Sequence, residues 1–186
     1  MKRLGLHNIF VPILLVGWFC NMVWSGEILS PEDVLDKYMK MDMEGYRIYD
    51  NNDIYELTDW NADPGYDVEV IIRGYKRGKT IFKGNKALIR VRYDVVGFVN
   101  GGVNWEPYDG KHLTENNKGQ IDIIYELIRK NGKWKIRNPN PFPHISLATS
   151  LAFNESQLPG PSGEPEIQKD MKNVVNILRG LSKIMK

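Results

Sequence analysis

Cysteine is almost missing: Cys20 is the single one, so no intramolecular disulfide can form and the fold must stand on its core. An excess of one charge is missing too, with 25 Lys and Arg against 23 Asp and Glu. That balance denies the chain the basic field that nucleic-acid binding requires. Histidine is scarce, with three in all: His7, His112 and His144. His112 lies in a polar stretch and His144 follows a proline, neither in a metal-ligating motif, so no metal and no cofactor is expected. Gly101-Gly102 lacks the strand and helix context of a phosphate loop and reads as a flexible tip. No internal repeat is present.

What is there begins with Lys2 and Arg3 ahead of an apolar run from Ile9 to Trp24, the pattern of a secretory signal. Val23-Trp24-Ser25 places acceptable side chains for cleavage after Ser25. The run falls short of the roughly 20 apolar residues of a membrane span, although Leu4 to Ser25 would suffice as an uncleaved anchor if His7, Asn8 and Asn21 were tolerated. Gly17-Trp18-Phe19 ahead of Cys20 is wrong for a lipidation signal. Cleavage would remove Lys2 and Arg3 and leave 23 residues of each sign. An exported, cysteine-free mature chain fits a bacterial periplasm, where a core of this size needs no staples.

The chain is organised around 66–137, where period-two alternation sorts core from solvent. Ala87, Ile89, Val91, Tyr93 and Val95 alternate with Arg90, Arg92 and Asp94. Ile121, Ile123, Tyr125 and Leu127 alternate with Asp122 and Glu126, and Trp134 and Ile136 with Lys133, Lys135 and Arg137. Asn131-Gly132 accepts the positive φ angles of a two-residue hairpin turn. Earlier, Val68, Val70 and Ile72 share a face opposite Asp67, Glu69 and Arg73. Ile71 and Ile124 put apolar side chains on the polar faces, which implies either a covering helix or a partner surface.

Ser30-Pro31-Glu32-Asp33 has the N-cap serine, first-turn proline and acid of a capping box. Val34, Leu35, Tyr38, Met39 and Met41 then form an apolar stripe, and Gly45 is expected to end the helix. Ile54 to Trp60 reads as a short strand, and 100–118 as a long polar excursion. After Arg137, a proline-rich stretch stops the sheet, and a closing helix is expected over Ile145 to Phe153. Residues 158–165 have linker composition. A last helix over Pro165 to Ile184 carries Ile167, Met171, Val174, Leu178 and Leu181 on one side. Its basic residues, Lys169, Lys172, Arg179, Lys183 and Lys186, are diluted by Glu164, Glu166 and Asp170, which favours packing or dimerisation over a membrane surface. Asn154-Glu155-Ser156 matches a glycosylation sequon, a chance match if the chain is bacterial as the export reading expects.

The expected class is therefore α+β: a curved antiparallel sheet wrapped around an N-terminal amphipathic helix. The divisions are a signal peptide over 1–25, one domain over 26–157, a linker over 158–165 and a C-terminal amphipathic helix over 166–186. Pro31 to Gly45, followed by GNKALIRVRYDVVG and IDIIYELIRKNGKWKI, resembles the nuclear transport factor 2-like superfamily over about Ser30 to Phe153. The resemblance rests on hydrophobic pattern and element order. It implies a cystatin-like cone with a pocket, in a superfamily that holds ketosteroid isomerases, scytalone dehydratases and polyketide cyclases beside members that only bind. Its members commonly dimerise through the sheet, which would account for Ile71 and Ile124.

Two functions follow as expectations. One is an exported, non-catalytic domain that binds a small apolar ligand or a protein partner. The other is a pocket enzyme using acid–base chemistry, which needs a base of raised pKa and a group to hold an oxyanion. The pocket-lining candidates are Tyr38, Asp42, Asp59, Tyr93, Tyr125 and Trp134. The isomerase set of one tyrosine and two aspartates does not map onto this chain: position 91 is valine, and Asp94 and Asp122 point outward. No catalytic residue is assigned, and binding is preferred. Membrane contact is expected only through the N-terminal segment or the last helix.

Overall fold

The computed structural model describes residues 29–61, 65–109, 120–160 and 164–185. The expected signal peptide over 1–25 lies outside the described residues. The first helix, α1 (Pro31–Met43), starts as the capping box requires: the Asp33 amide donates to Ser30 Oγ at 3.1 Å, and the Ser30 amide donates to Asp33 Oδ2 at 3.1 Å. Such a cap stabilises a helix by about 1 kcal/mol. Glu44 caps the other end. Gly45 follows at φ +86°, where a Cβ would lie 2.6 Å from Thr149 Cγ2, so the turn needs both its conformation and its lack of a side chain.

A six-stranded, strongly curled half-barrel sheet follows. Its strands are β1 (Val68–Lys83), β2 (Lys86–Asn100), β3 (Asn104–Pro107), β4 (Gln120–Lys130), β5 (Lys133–Asn138) and β6 (His144–Ser146). The spatial order is β5-β4-β2-β1-β6, with β3 also on β2. Three register shifts in the β1–β2 ladder, at Ile71/Ile72, Ile72/Gly74 and Arg77/Thr80, insert extra residues and bend the strand. Asn131 and Gly132 have φ of 51° and 79°, as the hairpin turn demands.

The sheet is not wholly antiparallel. β6 joins β1 in parallel through Val70–His144, Ile71–Ile145 and Ile72–Ser146, a pairing that alternation cannot reveal because it concerns which strand lies next to which. The closing helix, α2 (Leu147–Ser156), therefore starts later than expected, since Ile145 belongs to the sheet. Asn52–Leu57 is a 3-10 helix instead of a strand, and only Thr58 bridges to Ile136. Its asparagine cap explains the difference, because Asn51 Oδ1 accepts the Asp53 amide and turns the backbone.

Alternation along β1 builds two cores, one on each face. Val70 and Ile72 join Ile89, Val91, Tyr93, Tyr125 and Leu127 against Val34, Leu35, Tyr38 and Met39 of α1. Ile71 points the other way, into a second core with Val99, Ile145 and Leu147. That second core is closed by Val174 and Leu178 of the last helix, α3 (Pro165–Ile184). A covering helix thus accounts for Ile71, whereas Ile124 on β4 stays 52% exposed. Burying each such aliphatic side chain is worth about 1.5–3 kcal/mol. Among the described residues no helix is long and apolar enough to cross a membrane.

Candidate functional site

Tyr38 and Asp42 stand one turn apart on the buried face of α1, each 1% exposed. Their spacing of four residues puts both side chains on one stripe. Arg47, just past the Gly45 turn, enters the same space. Its Nη1 donates to the Tyr38 hydroxyl at 3.2 Å and lies 3.7 Å from Asp42 Oδ1, while Nη2 donates to Asn140 Oδ1 at 3.1 Å and to the Pro141 carbonyl at 2.8 Å. Its guanidinium also stacks over Tyr66, 4.6 Å from the ring centroid. Asp42 Oδ2 accepts the His144 amide at 3.0 Å. A buried charge persists only when paired and bonded in this way.

Tyr93 and Tyr125 reach this cluster from the sheet, and their hydroxyls bond at 2.7 Å. Burial pushes both phenols well above their ordinary pKa. The His144 ring stacks on Tyr93 at 4.1 Å and 24°. Burial lowers its pKa to about 3, so the imidazole is neutral at physiological pH. The interior thus collects a paired carboxylate, a neutral imidazole and three phenols.

Four of the six sequence-derived candidates, Tyr38, Asp42, Tyr93 and Tyr125, meet in this interior. The other two do not. Asp59 is bound by Lys130 at 2.7 Å and Arg137 at 3.5 Å, and the Lys130 hydrogen bond holds its carboxyl below the usual range. Trp134 is half-buried, and its ring lies 6.2 Å from that of Phe82.

A lateral cleft of about 570 Å³ opens beside the cluster, lined among others by Arg47, Tyr55, Tyr66, Glu69, Phe153 and Asn154. Glu69, only 8% exposed, accepts from Ser150 Oγ at 2.9 Å and Asn154 Nδ2 at 3.3 Å. Burial raises its pKa, and the two hydrogen bonds work against that rise. Asn154 also donates to the Ser150 carbonyl at 2.9 Å and is 2% exposed, so its amide faces inward at the sequon. Alternation assigns Glu69 to a wet face and misses it. The usable signal was the i, i+4 pair Ser150 and Asn154, which places two hydrogen-bonding groups on one face of α2. Arg47 carried no signal, because it sits in a turn of mixed composition.

No family model, curated protein or solved structure matches this chain.

Proposed function

We propose that the chain is an exported binding domain, a cone of the nuclear transport factor 2-like kind, whose ligand site is the lateral cleft and not the interior. The observation that carries this reading is the filling of the interior: Tyr93 and Tyr125 satisfy each other's hydroxyls, and Asp42 is held between Arg47 and the His144 amide. An isomerase-type catalyst needs its carboxylate free to face a substrate. The shared core of α1 and the curled sheet supports the kinship, and the apolar run behind Lys2 and Arg3 supports export, with cleavage after Ser25 or retention as an anchor.

The cleft offers apolar walls at Tyr55, Tyr66 and Phe153 and a carboxyl–amide pair at Glu69 and Asn154. It suits a small molecule with an apolar body and one hydrogen-bonding end. The exposed Ile124 supports a homodimer through the sheet. Titration of the full chain with aromatic amide fragments, followed by amide NMR, is expected to move the signals of Tyr66, Glu69 and Asn154, and Tyr55→Ala is expected to weaken binding. Shifts centred on Tyr93 and Tyr125, together with turnover of an enolisable ketone that Asp42→Asn abolishes, would replace this reading with the acid–base enzyme.

A further inference from the structure

The far half of β1 is an open edge. β6 covers β1 only at Val70–Ile72, so nothing among the described residues pairs with the other side of the strand from Gly74 to Lys83. At its tip Ile81 and Phe82 are 58% and 60% exposed, and as neighbours in a strand they project from opposite faces. From Arg73 through Lys86, both included, there are six Lys or Arg and no acid. The β4–β5 turn lies alongside, its Arg129 amide donating to the Asn85 carbonyl at 3.3 Å, and it adds Arg129, Lys130, Lys133 and Lys135. Some of these cations are paired, Arg77 with Asp36, Lys86 with Glu126 and Lys130 with Asp59. Lys79, Lys83 and Lys133 form no ion pair with any described residue.

The chain also arrives at this end. Glu32, on the first turn of α1, accepts a hydrogen bond from the Thr80 hydroxyl, and Asp36 one turn on accepts from Arg77 at 3.0 Å. The six residues 25–30 separate α1 from the apolar run 9–24, and at about 3.4 Å each they span at most about 20 Å. A bilayer that held that run would therefore lie close to the hairpin tip.

We propose that the β1–β2 tip, Ile81 and Phe82 flanked by Lys79, Lys83 and Lys133, is a docking surface for an anionic lipid membrane. The two apolar side chains enter the boundary between headgroups and acyl chains, the lysines meet lipid phosphates, and Trp134 sits at interface depth. A peptide strand is a poorer occupant, because the shift at Arg77/Thr80 and the lysines oppose edge pairing. A second copy would bring like charges face to face.

The test uses the full chain with Cys20→Ser and Phe82→Cys, carrying an environment-sensitive fluorophore at position 82, with Ile167→Cys on α3 as the labelled control. On mixed phosphatidylglycerol and phosphatidylcholine vesicles the label at 82 is expected to shift to the blue and to be quenched by bilayer-buried nitroxide lipid. On pure phosphatidylcholine it stays aqueous, as does the control on both. Lys79→Glu, Lys83→Glu and Lys133→Glu together lower the quenched fraction about fivefold or more. All three residues are exposed and form no ion pair among the described residues, so an unchanged circular dichroism spectrum separates this loss from unfolding. The proposal is overturned if the label stays aqueous on anionic vesicles that have captured the chain. It is equally overturned if duplex DNA, or raised protein concentration without lipid, gives the same shift.

Discussion

The hydroxyls of Tyr93 and Tyr125 meet at 2.7 Å although the two residues are not opposite each other: Tyr93 faces Ile121 across the β2–β4 ladder, and Tyr125 faces Ile89. They stand four residues apart along the ladder, beyond the nearest diagonal, and meet only because both side chains are long and share one face. Each phenol is the other's partner in a space sealed from water. Removing one hydroxyl leaves the other unsatisfied, so Tyr93→Phe or Tyr125→Phe should each cost about 1–3 kcal/mol in urea unfolding. The double variant is expected to cost less than the sum of the two, because it leaves no orphan behind.

His144 makes stability depend on acidity. Its pKa is about 3 in the folded chain and near 6.5 when unfolded. Between those values the unfolded state binds the extra proton, so stability falls as pH drops from about 6.5 towards 3, by up to about 1.4 kcal/mol per pH unit. His144→Phe keeps an aromatic ring against Tyr93 and removes the titration. Urea midpoints measured across this window should show a shallower slope for the variant.

Glu69 acts with the opposite sign. Burial raises its folded pKa, so its contribution is fully present below its unfolded value near 4.5 and is lost as pH rises through the folded value. Glu69→Gln keeps an oxygen to accept from Ser150 and Asn154 and carries no charge. Its denaturation midpoint at neutral pH is expected to exceed that of the parent, and the difference to vanish at pH 4.

The second core gives a packing prediction. Leu178 is wholly buried against the face that carries Ile71 and Val99. Leu178→Ala should destabilise by about 2–4 kcal/mol, whereas Ile184→Ala, at a position 83% exposed, should change stability by less than about 0.5 kcal/mol. Parallel thermal melts of the two variants check this.

Local physics wrote much of the fold plainly. The Ser30 cap, the β2 and β4 strands and the Asn131-Gly132 turn each depend on residues close in the chain, and each stands where the pattern puts it. The parallel β1–β6 pairing and the burial of Glu69 depend on segments far apart in sequence, so neither period nor propensity could announce them. The candidate site divided along the same line. Tyr38, Tyr93 and Tyr125 followed from an apolar stripe and alternation, while Arg47 joins them through a turn and His144 through the parallel pairing with Val70, neither of which a single sequence encodes locally.

The lateral union of Val70 with His144 also sets a timetable. A polypeptide threaded out amino end first leaves that flank of β1 bare until residue 146 has emerged. The sheet can be completed only after that point, and until then the apolar residues 70–72 are open to a holding chaperone.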